Sequence, residues 1–121
     1  MEPYQFKDKI LKLKLLSDTP AFGGMEFSTF KLKHGVSEAE LFTAVDKMVE
    51  GLYSAEEGFL GHAVLKGADG IYVDVVFATS QSRAAELCAK WGTGPFAPAC
   101  LPYLEKIEEG SANLAFFQRI K

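Results

Sequence analysis

A few polar side chains in the middle of the chain could carry chemistry, and Asp74 is the first of them. It lies at the centre of the valine-rich run YVDVVF, where a carboxylate buried without a partner would be costly. Burial raises the pKa of a carboxyl group, so Asp74 could withdraw a proton from a phenolic or enolisable molecule. Alternatively, Asp74 is structural and pairs with Lys31, Arg119 or a backbone donor.

Two neighbouring side chains could assist Asp74. His62 lies on the preceding β-rich run and is either a core histidine or a second acid–base candidate, depending on the sheet face that it occupies. Tyr72 could donate a hydrogen bond to a substrate oxygen, or could fill a cavity with its ring. We therefore take Asp74 and His62 as candidate catalytic residues and Tyr72 as a candidate for substrate binding.

An aromatic pair flanks a glycine-rich break later in the chain. Trp91 and Phe96 enclose the segment Gly92–Pro95, and they could form a lid over a cavity or pack against the edge of the sheet. The two cysteines, Cys88 and Cys100, lack the spacing of a metal site or of a disulfide framework. We expect no metal site.

A β-hairpin from Gly58 to Thr79 must position these residues. Two β-rich runs, 59–66 and 71–78, flank Gly67-Ala68-Asp69-Gly70, and Asp-Gly is a strong hairpin signal. We expect even positions of the first run to pair with odd positions of the second. The more apolar face, assigned to the helices, would then carry Leu60, His62, Val64, Ile71, Val73, Val75 and Phe77. The opposite face would carry Gly61, Ala63, Leu65, Tyr72, Asp74 and Val76, and a shift of one residue would exchange the two sets.

The remaining elements complete a recognisable order. A strand is predicted over 26–33, a helix from the capping box at Ser37–Glu40 to Tyr53, and a second helix from Ser80 or Ser82 to Trp91. A short helix with Pro102 in its first turn ends at Gly110, and a last strand is predicted over 112–120. This β-α-β-β-α-β order predicts an α+β, ferredoxin-like antiparallel sheet with helices on one face. We assign residues 26–121 to this domain and 1–25 to an N-terminal arm, in which Lys7–Leu16 could form an extra strand or a short amphipathic helix.

The sheet face away from the helices is expected to be apolar. Phe27, Leu65, Tyr72, Val76 and Phe117 are placed there, and such a face is a liability in a monomer. Two copies could close their sheets against each other around a cavity, so we predict a homodimer. Phe27 and Leu65 would then join Tyr72, Trp91 and Phe96 as candidate substrate-binding residues.

The composition excludes several classes of function. The 121 residues carry a net charge of −3, with 48% hydrophobic and 24% charged residues, as expected for one globular domain. This negative net charge gives no sign of the basic surface that nucleic-acid binding requires. No apolar run approaches the roughly 18 residues of a membrane span, and the first residues do not read as a signal peptide. We expect a cytoplasmic protein.

Several local features resemble one known superfamily. Gly58-Phe59-Leu60-Gly61 opens the second strand, Asp69-Gly70 precedes Tyr72–Val76, and Ser80 precedes a helix containing Ala84-Ala85. With the element order, these features resemble the antibiotic-biosynthesis-monooxygenase-like domains of the dimeric α/β-barrel superfamily, over about Glu26–Ile120. That superfamily includes cofactor-free monooxygenases acting on polycyclic phenols, haem-degrading enzymes and small isomerases. The Asn-Trp-His set of the haem-degrading branch has no counterpart here, which disfavours haem degradation.

The resemblance leaves two functional hypotheses. The first is a cofactor-independent monooxygenase-like or isomerase-like protein that holds a small aromatic or enolisable molecule in a dimer cavity. It implies no cofactor, because the substrate carbanion can itself react with oxygen. The second hypothesis is a non-catalytic module that binds a small molecule or mediates assembly. Convergence of Asp74, Tyr72 and His62 on one open cavity would favour the first.

Overall fold

The computed structural model describes residues 21–121. The interpretation of Lys7–Leu16 as a strand or helix therefore lies outside the described residues, as does most of the predicted arm. Within residues 21–121, no helix is long and apolar enough to cross a lipid bilayer.

Four strands form one antiparallel sheet, in the order β2-β3-β1-β4. The strands are β1 (Gly24–Phe30), β2 (Phe59–Lys66), β3 (Tyr72–Ala78) and β4 (Asn113–Gln118). The helices are α1 (Glu38–Met48), α2 (Gln81–Ala89) and α3 (Leu101–Leu104), with a π-helical turn at Val49–Tyr53 and a 3₁₀ turn at Pro98–Cys100. The predicted ferredoxin-like α+β architecture is confirmed.

Local side-chain chemistry starts the two longer helices where the sequence predicts. At the start of α1, the Glu40 backbone N–H donates to Ser37 Oγ (3.1 Å) and the Ser37 N–H donates to Glu40 Oε1 (2.9 Å). This capping box satisfies N–H groups that have no partner inside the helix. Ser80 caps α2 in the same manner, by accepting from the Arg83 N–H at 3.0 Å.

The β2–β3 turn is one residue longer than the sequence pattern predicts. Lys66 pairs with Tyr72, and Ile71 belongs to the turn, where its N–H donates to Ala68 O and its carbonyl accepts from the Gly67 N–H. Asp69 and Gly70 take positive φ values of 57° and 75°, as a tight turn requires. A five-residue connection pairs even positions with even positions, so the predicted hairpin register is wrong.

The corrected register changes the face of every β3 side chain. His62 pairs with Val76 and Val64 with Asp74, so His62 and Asp74 lie on the same face. This face packs under the helices, where Tyr72 is 8% and Val76 0% exposed. Asp74, Tyr72 and Val76 were predicted on the open face, and that prediction is wrong.

The open face remains apolar, but with different β3 residues. Leu65 and Phe117 are 51% and 47% exposed, and Phe27 meets Phe117 edge to face at 6.2 Å between ring centroids. A β-bulge between Phe59 and Gly61 brings Phe59 back to the helical side, where its ring stacks on Tyr53. By strand register, the open face also carries Met25, Thr29, Ala63, Val73, Val75, Phe77 and Ala115.

Candidate active site

A cavity of about 190 Å³ lies between the sheet and its helical layer. The sheet provides acidic and hydroxyl groups on the cavity wall, and the helices and the α2–α3 connection provide aromatic and aliphatic groups. The polar and aromatic lining residues are Glu26, Ser28, Asp74, Cys88, Trp91, Phe96 and Tyr103. The cavity belongs to a single chain and lies on the opposite side of the sheet from the apolar face, whereas the sequence predicted a cavity on that face.

Asp74 is held at this cavity by two hydrogen bonds. Its side chain is 7% exposed, Oδ1 shares a hydrogen bond with His62 Nε2, and Oδ2 accepts from the Tyr103 hydroxyl at 3.1 Å. The partners are therefore His62 and Tyr103, not Lys31 or Arg119. A buried carboxylate with these partners avoids much of the cost of isolation.

Tyr103 is kept as a neutral hydroxyl by its surroundings. It is 3% exposed, and its pKa is raised well above the usual value, first by burial and then by the nearby Asp74 carboxylate. A phenol that does not ionise remains a hydrogen-bond donor. Tyr103 therefore orients Asp74 and does not itself act as a base.

Glu26 is a second carboxyl group at the cavity, and the sequence analysis did not single it out. It is 6% exposed, and within residues 21–121 it forms no side-chain hydrogen bond. Burial and, secondarily, the charge of Asp74 raise its pKa from 4.5 to about 7. The alternation of residues along β1 could have indicated that Glu26 is buried, because it shares a strand face with Ser28 and the core residue Phe30.

Aromatic rings form the wall opposite the carboxyl groups. Trp91 Nε1–H donates to the Tyr53 hydroxyl at 2.9 Å, and the Trp91 ring meets Tyr103 and Phe96 edge to face, at 5.6 and 6.2 Å between centroids. The Ala97 N–H donates to the Trp91 carbonyl at 2.9 Å. This hydrogen bond holds together the two ends of the loop that contains Gly92. Trp91 and Phe96 thus line this cavity on the helical side of the sheet, and their role as a lid stays a prediction.

The other predicted binding residues lie away from the cavity. The Tyr72 hydroxyl donates to Glu38 Oε2 at 2.6 Å, and Lys66 pairs with the same oxygen at 2.8 Å. Leu65 and Phe27 are on the open sheet face. The structure therefore brings Asp74, Trp91 and Phe96 to one cavity and separates Tyr72, Leu65 and Phe27 from it.

His62 contacts Asp74 from outside the cavity. Its side chain is 5% exposed and lines an open groove between α1 and the β2 edge, together with Asp46 and Glu50. Within residues 21–121, His62 is therefore linked to the cavity through its hydrogen bond with Asp74. Its predicted catalytic role stays a prediction.

Cys88 is a further titratable side chain at the cavity. Cys88 lines the cavity, but burial, followed by the charges of Glu26 and Asp74, raises the pKa of its thiol to about 12. A thiol that stays protonated is a poor nucleophile. Among residues 21–121, no three His, Cys, Asp or Glu side chains are grouped as a metal ion would require.

Comparisons with known proteins identify the fold. No protein-family model matches the chain, and no curated protein matches it. Among solved structures, SnoaB, a cofactor-independent oxygenase from Streptomyces nogalater, is similar over 84% of this chain and 96% of its own, with a TM-score of 0.60 and 16% identity. A Caulobacter crescentus protein provisionally assigned as an antibiotic biosynthesis monooxygenase matches over 83% and 92%, with a TM-score of 0.59 and 16% identity.

A third solved structure has the same architecture. It is a dimeric ferredoxin-like protein from an uncultured marine organism, which matches over 87% of this chain and 94% of its own, with a TM-score of 0.51 and 15% identity. The chain therefore shares the ferredoxin-like α+β fold of these three solved structures.

Proposed function

We propose that this protein is a cofactor-independent, oxygenase-like or isomerase-like enzyme that withdraws a proton from a small aromatic or enolisable molecule. The chemistry takes place in the cavity between the sheet and the helices of each chain. The observation that carries the proposal is that Glu26 and Asp74, from neighbouring strands, line one cavity with an aromatic wall. Buried titratable groups that face a cavity of this kind are typical of active sites.

Glu26 is the general base in this proposal. A base works best when its pKa lies near the working pH, and the pKa of Glu26 is raised to about 7. Asp74 keeps its position through His62 and Tyr103, and its charge contributes to the raised pKa of Glu26. Above a pH of about 7 the Glu26 carboxyl group is ionised and can accept a proton, whereas Asp74, held by His62 and Tyr103, has a supporting role.

The reaction begins when a substrate C–H or O–H bond breaks and its proton moves to Glu26. The electron pair remains on the substrate as an enolate, phenolate or carbanion. In the isomerase-like branch, Glu26 returns the proton to a different substrate atom. In the oxygenase-like branch, dioxygen is the oxidant: a methylene group becomes a carbonyl, one oxygen atom enters the product, and the other leaves as water with the two methylene hydrogens.

The likeness in fold to SnoaB supports the oxygenase-like branch, since that protein is a cofactor-independent oxygenase. Neither branch requires this chain to hold a redox group, because the ionised substrate supplies the electrons. The aromatic side chains Trp91, Phe96 and Tyr103 would hold a flat substrate and exclude water from the reacting atoms.

A homodimer accompanies this proposal. The open sheet face carries exposed Leu65 and Phe117 beside Phe27, and burying such a face would stabilise an association of two copies. The marine protein of the same architecture is a dimeric ferredoxin-like protein. The dimer would cover the open faces, while each chain keeps its own acidic cavity.

The second candidate function is a non-catalytic binding module. It is favoured by two observations: Tyr72 and His62 do not converge with Asp74 on the cavity, and Asp74 is already hydrogen-bonded to His62 and Tyr103, as structural carboxylates are. In this module the cavity would hold a small molecule without changing it. The two functions differ in whether bound substrate exchanges protons.

The test uses 2-tetralone, an enolisable bicyclic ketone, and 1-naphthol as probes of the intact protein. An enzyme is expected to accelerate deuterium incorporation into 2-tetralone in D₂O, or oxygen uptake with either probe. Glu26→Gln should lower the rate by at least about a hundredfold, as loss of a general base does. Glu57→Gln, on an exposed loop residue, is the matched control and should retain the rate. Binding of a probe without exchange or oxygen uptake would overturn the enzyme and leave the binding module.

A further inference from the structure

We infer that the acidic cavity takes a small aromatic ammonium ion, a molecule of one or two rings that carries a protonated amino group. The inference rests on the proposed function in that it names the substrate class of the same cavity. It is carried by three features of the cavity wall: its charge, its aromatic rings and its volume.

The charge of the cavity wall favours a cation. Glu26 and Asp74 both line the cavity, whereas none of the lining residues within 21–121 is a lysine or arginine. Glu26 is more than nine-tenths buried, and within residues 21–121 no hydrogen-bond donor meets its side chain. Ionising a buried carboxyl group is costly, and a cation in contact with the carboxylate removes much of that cost. An anionic ligand would add a further negative charge to the same small volume.

The aromatic wall provides the second part of such a site. Trp91, Phe96 and Tyr103 line the cavity together with the carboxyl groups, and Trp91 meets both other rings edge to face. The faces of aromatic rings attract ammonium groups, and the same rings pack well against a flat ligand. Aromatic rings combined with carboxylates are suited to organic cations.

The volume limits the size of the ligand. The cavity measures about 190 Å³, while an apolar cavity of about 150 Å³ accommodates benzene and drug-sized pockets span about 300–1,000 Å³. One aromatic ring with a short aminoalkyl chain fits this space, as does a small bicyclic amine. A polycyclic ligand does not.

An ammonium group would also prepare the base. Within the described part of the chain, the titratable groups around Glu26 are Asp74, Cys88, Tyr53 and Tyr103, and Ser28 is the neighbouring hydroxyl group in the wall. A cation beside Glu26 favours its ionised form, the form that accepts a substrate proton. After proton transfer the substrate is a zwitterion, so its new negative charge is balanced by the ammonium group and its net charge is zero.

The first experiment compares three ligands of similar shape and different charge by calorimetry on the intact protein at pH 7.5. Tyramine is the cation, 4-propylphenol its neutral counterpart and 3-(4-hydroxyphenyl)propionate the anion. We expect tyramine to bind at least about tenfold more tightly than 4-propylphenol. A hydrogen bond to a buried charged group contributes more binding free energy than a neutral one, and the difference corresponds to about tenfold in affinity. The anion should bind most weakly. Equal or tighter binding of 4-propylphenol, or no binding of tyramine, would overturn the inference.

A variant pair assigns the preference to the cavity. Glu26→Gln should reduce tyramine affinity about tenfold while retaining 4-propylphenol affinity, and the exposed Glu57→Gln should change neither. Loss of affinity for both phenols in Glu26→Gln would contradict a charge-specific role for Glu26.

A measurement on the unaltered protein is independent of variant folding. Below pH 7, tyramine must displace a proton from Glu26, so its affinity should rise as the pH increases through about 7 and then level off. The heat of binding at pH 6.5 should depend on the ionisation enthalpy of the buffer. A pH-independent affinity would contradict the inference. These binding results separate it from the enzymatic proposal, since tyramine can bind whether or not 2-tetralone exchanges its protons.

Discussion

His62 Nε2 and Asp74 Oδ1 share a hydrogen bond across two neighbouring strands, beneath the helical layer. The two side chains are 5% and 7% exposed, so water contributes little to the solvation of either. Asp74 faces the cavity and His62 faces the groove on the other side of the pair. His62 thus fixes the position of a carboxylate whose charge affects Glu26.

The first prediction concerns the stability of this pair. His62→Ala should lower the free energy of unfolding by about 3 kcal/mol, because, among the residues that the structure describes, it leaves the buried Asp74 with the Tyr103 hydroxyl as its one side-chain partner. Urea unfolding measures the difference. His34→Ala is the matched control, since His34 is exposed in a turn, and it should change the stability by less than about 0.5 kcal/mol. Equal effects of the two substitutions would show that the pair contributes nothing.

The second prediction concerns Tyr103. Tyr103→Phe should cost about 1–2 kcal/mol, because it retains the ring and removes the donor to the buried Asp74. Tyr72→Phe removes a hydroxyl that bonds to Glu38, a partly exposed group, and should cost less than about 0.5 kcal/mol. Thermal or urea unfolding of both variants checks the ranking. A larger loss in Tyr72→Phe would contradict it.

The third prediction concerns pH and Glu26. The pKa of Glu26 is about 7 in the folded protein and 4.5 in the unfolded reference, so between these values the folded state binds more protons than the unfolded state. Stability from this group is therefore present below pH 4.5 and is lost as the pH rises towards 7 and above. The full loss is about 3 kcal/mol.

Glu26→Gln removes this titration. The variant should become more stable relative to the unaltered protein as the pH rises from 4.5 to 7.5, because the amide avoids burial of a charge. Urea unfolding at several pH values measures the gap between the two proteins. A gap that stays constant over this range would show that the pKa of Glu26 is not raised.

The fourth prediction concerns the open sheet face. Leu65→Glu and Phe117→Glu should each shift the protein from dimer to monomer, because a charge replaces an apolar side chain that the dimer would bury. Sedimentation velocity measures the shift. Phe42→Glu is the control, since Phe42 is similarly exposed, at 49%, but belongs to α1 on the other side of the sheet. A monomeric unaltered protein, or an equal effect of Phe42→Glu, would contradict the proposed interface.

The sequence by itself determined the order of elements and the fold class. The capping box at Ser37 and Glu40, the Ser80 cap and the Asp69-Gly70 turn act through neighbouring residues, so they can be recognised without the tertiary structure. The alternation of β1 likewise places Glu26, Ser28 and Phe30 on one face. The apolar character of the open face also follows from alternation, as Phe27, Leu65 and Phe117 show.

The tertiary structure decided which residues meet. Whether Ile71 joins the turn or the strand changes the connection from four to five residues, and that single residue moves Asp74, Tyr72 and Val76 to the helical side. The sequence pattern around the turn permits either length. The convergence of Glu26 with Asp74 depends on β1 pairing with β3 across a long separation in sequence. The raised pKa of Glu26 depends on burial and on that neighbour, and both arise only when the sheet and helices pack together.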